Sequence, residues 1–356
     1  MRITVIGAGN SGFAMAAHLS ANGHQVRLWN RSESTIKTLK ETHTIKCYGE
    51  IQGKYAIEVV TTDLKEALDG TEMIFITTPA NSHRELAKNI ARYLDREVII
   101  VLNPGRTFGA LEFLQVFSRY NKLITPIIAE TQTIIYTCRK VADDAVNILA
   151  LKSEVLLSTF DARENKKIIK QLPACLQPFL KPARSMIETS VGNVGMILHC
   201  APLLLNVGWT ENKNYTYNYY LDGISPTIAS FLEKIDEERV QVSERLGLKV
   251  ESTKDWLKRT YRLEGDTLFE CIQKNEAYQN ILAPNTMEHR YIFEDIPFGL
   301  VPLEYIGRKL GLPMKHTRLI IDLASTLFDM NFRKIGRRVN ITKTDLMVSE
   351  EDLMLA

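Results

Sequence analysis

Residues 3–31 read ITVIGAGNSGFAMAAHLSANGHQVRLWNR, and the order of residue types along them decides the fold. An apolar run ends at Ile6, the spacing G-x-G-x-x-G follows at Gly7, Gly9 and Gly12, a helix of small residues comes next, and a second apolar run closes the unit. The spacing alone is weak in a chain with 19 glycines, and the strand before and helix after it make it specific. Gly7 suits the tight turn, Gly9 lets backbone approach a pyrophosphate, and Gly12 lets helix and strand pack closely. The helix N-terminus then presents free N–H groups and the positive end of its dipole to the anion. This predicts a βαβ unit that holds a dinucleotide on Gly7, Ala8, Gly9, Asn10, Ser11 and Gly12.

The end of the second run refines the cofactor. A site preferring NAD usually carries Asp or Glu there, accepting from the ribose hydroxyls. This chain has Asn30, Arg31 and Ser32, none of which repels a 2′-phosphate and all of which can hydrogen-bond one. The expectation is NADP(H) in preference to NAD(H).

Further strand-like runs at 57–60, 73–78, 98–102 and 123–128 alternate with helical patterns, which predicts a parallel doubly wound sheet. Two of these runs end in loops at Thr78-Pro79 and at Asn103, before Pro104-Gly105. Carboxyl ends of strands are where ligands bind in open α/β sheets, so Thr78, Pro79 and Asn103 join the cofactor candidates. The stretch 124–140, ITPIIAETQTIIYTCRK, also has strand character around a polar cluster at Thr131, Gln132 and Thr133.

After about residue 184 the texture changes to long segments of 3.6 period, such as 225–248, SPTIASFLEKIDEERVQVSERLGL. Ser225 before Pro226 reads as a helix start and Gly247 as its stop. Other expected helices are 188–205, 252–261, 266–274, 297–311 and 313–330. The fold class is therefore α/β, an N-terminal doubly wound Rossmann domain over 1–184 followed by an all-α domain over 185–356.

At 356 residues and 45% hydrophobic, the chain has material for two cores. A net charge of +2 with interspersed signs argues against nucleic acid as a partner. The basic residues Arg333, Lys334, Arg337 and Arg338 read as a solvated helix end. Five cysteines without zinc-ligand spacing suit a reducing compartment and give no metal site. Met1 leads directly into the first strand and no apolar run reaches ~18 residues, so a cytoplasmic protein without a membrane partner is expected.

Groups that activate a substrate are expected from the helical half. His199 stands among small residues in ETSVGNVGMILHCAPLLLN (188–206), and a charged cluster, Glu288, His289, Arg290, Glu294 and Asp295, opens MEHRYIFEDIPFGLVPLEYIG (287–307). On its own, His199 reads first as a histidine satisfied inside a helical core, and an ion pair with Glu294 at i, i+4 is a second reading of Arg290.

Nearly the whole chain resembles the opine dehydrogenase family, which includes the octopine and nopaline dehydrogenases. The residues that carry the resemblance are Gly7-Ala8-Gly9-Asn10, L-N-P-G-R-T with G-A-L-E-F (Leu102 to Phe113), E-T-Q-T with Y-x-C-R (Glu130 to Arg139), the helix around His199, and R-Y-x-x-E-D-x-P-x-G-L-V-P (Arg290 to Pro302). The resemblance implies reductive condensation of an α-amino acid with a 2-oxo acid such as pyruvate, through carbinolamine and imine. It implies a catalytic pair at His199 and Asp295, with Arg290 binding a substrate carboxylate and Gln132 donating to the oxo acid. Imidazole titrates near neutrality and suits the proton traffic. A carboxylate on its other nitrogen fixes the tautomer, and a guanidinium grips a carboxylate with two bonds. Cys138 lacks a matched base and reads as a packing thiol.

Two other readings stay open. Ketopantoate and glycerol-phosphate reductases join similar domains but rely on a catalytic lysine, and the segment Glu188 to Leu205 contains none. A non-catalytic NADP(H) sensor would keep the fingerprint without turnover. Trp209, Tyr217, Tyr219, Tyr220, Asp222 and Trp256 are candidates to line an amino-donor pocket, and the apolar segment Leu319–Met330 is a candidate homodimer face.

Overall fold

The computed structural model describes residues 1–339, so residues 340–356 of the expected helical domain lie outside the described residues. The chain divides into two compact units, Met1–Ser190 and a second that begins at Val191. The change of texture near residue 184 falls slightly earlier, because the helix Met186–Val191 carries Thr189 and Ser190, whose hydroxyls donate to Glu130 in the first unit.

The first unit contains strands β1 (Arg2–Ile6), β2 (Gln25–Trp29), β3 (Thr44–Gly49), β4 (Gly53–Ala56), β5 (Val59–Thr61), β6 (Met73–Ile76), β7 (Ile99–Leu102), β8 (Ile127–Thr131), β9 (Tyr136–Ala142), β10 (Ala145–Leu151), β11 (Val155–Thr159) and β12 (Leu180–Pro182). Eight of them form one sheet in the order β12-β11-β8-β7-β6-β1-β2-β5. β6 and β7 are apolar and buried along their whole length, as in a sheet covered on both faces. β1 lies between β2 and β6, with Ile6 opposite both Trp29 and Ile76. The order of strands reverses at that point, and the crevice outside the carboxyl end of β1 is where such sheets bind ligands.

The strands expected from sequence pair in parallel as predicted, and the structure adds two features. β11 runs antiparallel to β8, and a second sheet, β4-β3-β10-β9, stands apart from the first. Its strands are half-buried rather than apolar throughout. In β9, Tyr136 and Cys138 point inward while Thr137 and Arg139 are exposed, a period-2 pattern much fainter than the solid runs of the large sheet. The fingerprint helix, Asn10–Ala21, packs against strands of both sheets. Phe13, Met15, Ala17, Tyr136 and Val146 share one core there, and the Tyr136 hydroxyl lies 3.1 Å from His18 Nδ1.

The described residues of the second unit form helices, with an isolated bridge between Asn218 and Leu282 as its extended pairing. Ser225 Oγ accepts from Ile228 N–H at 3.3 Å at the head of Pro226–Arg245, and Gly247 beyond its end has φ +102°, as start and stop signals of this kind require. The helix expected over 188–205 is broken. Asn193 Oδ1 accepts from Gly195 N–H at 2.9 Å and starts a separate helix, Gly195–Leu205. Likewise the segment 297–311 begins as a π turn, Ile296–Leu300, before the α-helix Val301–Lys309. Pro302 has no N–H to return to the Phe298 carbonyl, and the ladder widens there.

Of the basic residues near the end, Lys334 and Arg338 are exposed as expected, and Arg333 and Arg337 are corrected. Arg333 pairs with Glu304 at 2.6 Å and Asp322 at 2.5 Å, and Arg337 is fully buried with its guanidinium over the Phe298 ring. A buried carboxylate such as Glu304 needs this compensation. On the helix Lys315–Leu327, Leu319 and Leu327 are exposed while Ile320, Ile321 and Ala324 are buried. Among the described residues no helix is long and apolar enough to cross a membrane.

Candidate active site

The fingerprint turn is shaped by what its glycines touch. Gly7 has φ +110°, and a Cβ on it would stand 2.8 Å from Thr78 Cγ2. A Cβ on Gly12 would lie 1.7 Å from the Gly7 carbonyl oxygen. Around Gly9 the opposite holds, since a Cβ there meets nothing within 4 Å. No side chain caps the helix that begins at Asn10. An uncapped helix end opening onto free space fits the pyrophosphate of a dinucleotide.

The neighbouring candidates divide by task. Asn30 Oδ1 accepts from Ala8 N–H and its Nδ2 donates to the Ser32 carbonyl, both at 3.1 Å, so this amide braces the turn. Arg31 is exposed, and Ser32 Oγ lies 2.8 Å from Ser34 Oγ. Thr78 Oγ1 accepts from Ser82 Oγ at 2.7 Å, with Pro79 leading into the turn Ala80–Ser82. Asn103 is buried before a cis Pro104 and accepts from Thr131 Oγ1 at 2.9 Å. Asn10 Oδ1 accepts from Lys140 N–H at 2.8 Å, and Ser11 follows in the first turn.

Sequence reasoning overlooked Lys140. Its ammonium lies 4.4 Å from the centre of the Phe13 ring, 3.4 Å from the Thr35 carbonyl and 3.9 Å from Asp143. A cation thus stands beside the first turns of the helices that follow β1 and β2. No fingerprint signals it, because it arrives on β9 from the second sheet.

Glu130 is wholly buried on β8 and accepts from Ala110 N–H at 3.0 Å and from the Thr189 and Ser190 hydroxyls. Gln132, just past β8, donates its backbone N–H to the Leu156 carbonyl at 2.9 Å. Burial pushes the Cys138 thiol up to about 11, which leaves it protonated and unreactive at neutral pH.

In the second unit, His199 and Asp295 come together. His199 Nδ1–H donates to Asp295 Oδ2 at 2.9 Å, with the histidine side chain 17% exposed and the carboxylate 1%. The carboxylate accepts only, so the neutral ring carries its proton on Nδ1 and leaves Nε2 as an acceptor. The Tyr219 hydroxyl, itself buried, donates to the His199 carbonyl. Tyr291 stacks on the His199 ring with centroids 3.9 Å apart and planes 12° from parallel. No periodicity announces this contact.

Arg290, in the short helix Arg290–Phe293, pairs with Glu294 at 3.0 Å while keeping 54% of its side chain exposed. The i, i+4 pair is therefore real, and it orients a guanidinium that still faces solvent. His289 caps that helix, its Nδ1 accepting from Tyr291 N–H at 3.4 Å. Burial first, then the Arg290 and His199 charges, lower the His289 pKa. Of the aromatic candidates, Tyr219 and Tyr220 meet edge to face at 5.0 Å beside Tyr291, whereas Trp209 groups with Tyr215 and Tyr217, and Trp256 with Tyr261. Among the described residues no group of His, Cys, Asp and Glu is placed to hold a metal ion.

Comparison with known proteins agrees with this division. Residues 182–328 match the alpha-helical domain of the NAD/NADP octopine/nopaline dehydrogenases, and residues 2–131 match the N-terminus of NAD-dependent glycerol-3-phosphate dehydrogenase. The opine dehydrogenase of Arthrobacter sp. (strain 1C) is 34% identical over 334 residues, 94% of this chain and 92% of that protein. The fold is that of octopine dehydrogenase solved with NADH and L-arginine, with a TM-score of 0.77 at 18% identity over 92% of this chain and 90% of that one. Yersinopine dehydrogenase with NADP+ bound gives 0.75 at 13% identity over 100% and 97%. The Rossmann fingerprint, the helical domain and the full-length kinship agree: the chain belongs to the opine dehydrogenase family, NAD(P)-dependent oxidoreductases that reductively condense an α-amino acid with a 2-oxo acid.

Proposed function

We propose that His199 is the proton carrier of this condensation, Asp295 its orienting carboxylate, and Arg290 the anchor for a substrate carboxylate. The observation that carries the reading is the 2.9 Å bond from His199 Nδ1 to a sealed Asp295. With Nδ1 engaged, Nε2 accepts a proton from the substrate ammonium and frees the amine to attack the oxo carbon. The resulting imidazolium returns that proton to the carbinolamine hydroxyl, which leaves as water and yields the protonated imine. Asp295 stabilises the charged ring between the two steps. Arg290 holds a carboxylate by paired N–H groups, and Gln132 donates to the carboxylate of the oxo acid. The dihydronicotinamide, when bound, supplies the hydride that reduces the imine carbon.

The pyrophosphate falls to the backbone from Gly7 to Gly12, with Thr78, Pro79 and Asn103 along the same strand ends. NADP(H) is favoured over NAD(H). Supporting this are exposed Arg31, the Ser32 and Ser34 hydroxyls and the Lys140 ammonium, with no carboxylate at residues 30–32. Asn30 supports the turn rather than the phosphate.

The test follows NADPH oxidation, with NADH in parallel, against a panel of amino acids paired with 2-oxo acids including pyruvate. Turnover that requires both organic partners and disappears in His199→Ala is expected. Turnover with an oxo acid alone, or an active His199→Ala enzyme, would overturn the assignment.

A further inference from the structure

The bond to Asp295 pins Nδ1 and orients the His199 ring, leaving small tilts about Cβ–Cγ that sweep Nε2. A contact across the ring face narrows them. Tyr291 lies flat on the ring at 3.9 Å and 12°, the only arrangement of two rings that opposes such a tilt over their whole area. Tyr291 is itself held on several sides. The His289 ring meets it at 4.4 Å and 89°, Tyr219 leans on it at 5.1 Å and 52°, and its own N–H donates to His289 Nδ1. The groups facing His199 are thus Asp295 at the Nδ1 corner, Tyr291 across the face, His289 beyond Tyr291, and Tyr219 at the backbone carbonyl.

We infer that Tyr291 is a positioning residue for the condensation: its ring fixes the plane of the His199 imidazole and so aims Nε2 at the reacting nitrogen and oxygen. The inference rests on the reading of His199 as the proton carrier. The role falls to the aromatic face, which is what lies on the imidazole. A face of negative quadrupole also suits the ring while it is an imidazolium. Proton transfer depends steeply on alignment, and a misplacement of about 1 Å costs on the order of 100-fold in rate. The inference therefore places the effect of Tyr291 in kcat and not in KM.

The experiment compares Tyr291→Phe, Tyr291→Leu and Tyr291→Met with the parent and with His199→Asn, using pyruvate and the amino acid that turns over fastest in the panel above. Tyr291→Leu and Tyr291→Met are expected to lose roughly 10- to 100-fold in kcat with each KM within about twofold, while Tyr291→Phe keeps kcat within about threefold. The inference is overturned by a leucine or methionine variant with near-parental kcat, by a loss that appears in KM, or by a phenylalanine variant as damaged as the leucine one. An inactive His199→Asn beside an active Tyr291→Leu would remove this inference alone. An active His199→Asn would remove the reading beneath it as well. Tyr291→Met is unbranched and adapts to an irregular gap, which keeps the comparison valid should Tyr291→Leu not fold.

Discussion

Asp295 and His199 stand 96 residues apart in sequence and meet in a 2.9 Å hydrogen bond whose carboxylate is all but sealed from water. Sealing strengthens the bond and makes its geometry exacting. Asp295→Asn leaves the shape intact but can present an N–H to Nδ1, which moves the ring proton to Nε2 and removes the acceptor. A fall in kcat of roughly 10³- to 10⁴-fold is expected by analogy with hydrolytic triads, with the thermal midpoint within a few degrees of the parent. A fall of less than about tenfold would sink the orienting role.

Gly9 and Gly12 separate binding from folding. Gly12→Ala drives a methyl into the Gly7 carbonyl at 1.7 Å, so the turn must open and the protein loses stability. Gly9→Ala meets nothing within 4 Å and should fold normally, yet its methyl occupies the approach of the pyrophosphate. Thermal melts paired with coenzyme titration check this, and a Gly9→Ala protein that binds NADPH at parental affinity would contradict the assignment of the turn.

Coenzyme choice should respond to Arg31 and Lys140 separately from turnover. Arg31→Asp places a negative charge beside the 2′-phosphate and is expected to raise the KM for NADPH at least tenfold, about 1.4 kcal/mol, with little change for NADH. Lys140→Met should act in the same direction and more weakly. Equal changes for both coenzymes would show that neither residue reads the phosphate.

Glu130 serves three donors inside the first unit: Ala110 N–H and the hydroxyls of Thr189 and Ser190. Glu130→Ala leaves those donors without their acceptor and opens a small cavity, a loss of about 3–5 kcal/mol. Urea unfolding with an unchanged m-value is the check, and a loss under about 1 kcal/mol would mean that water replaces the carboxylate freely.

His18 and His289 bear on pH. Burial lowers the pKa of both below the ordinary histidine value of 6.5, so the unfolded chain binds protons more readily than the folded one. Their contribution to stability is present in full above pH 6.5 and is lost as pH falls from there through the lowered values. The thermal midpoint should drop between pH 7 and 5, and less so in His18→Gln. A midpoint that rises over that interval would reverse the sign.

Residues whose roles follow from local rules were legible. The turn at Gly7, the Ser225-Pro226 start and the Gly247 stop depend on neighbours within a few positions, and each stands where the pattern puts it. The second sheet was not, because β10 pairs with β3 from about 100 residues away and carries β9, which shows its apolar side only at alternate positions. Asn30 was placed correctly at the end of β2, but whether its amide turns to a phosphate or to Ala8 N–H is a matter of rotamer. Tyr291 and Lys140 carry no spacing signal at all, since their partners are brought to them by the fold.

The helix Asn10–Ala21 lies against both sheets, tied outward by Lys140 N–H on Asn10 and by Tyr136 at His18. Its motif is therefore no portable cassette. A fragment cut at residue 131, where the match to the glycerol-3-phosphate dehydrogenase N-terminus stops, would keep every fingerprint glycine and shed β9 and β10, two of the four strands of the second sheet that pack on the helix. Phe13 and Met15 would then face water. Coenzyme-domain swaps within this lineage have their natural seam beyond β12, and a graft drawn by motif alone would aggregate.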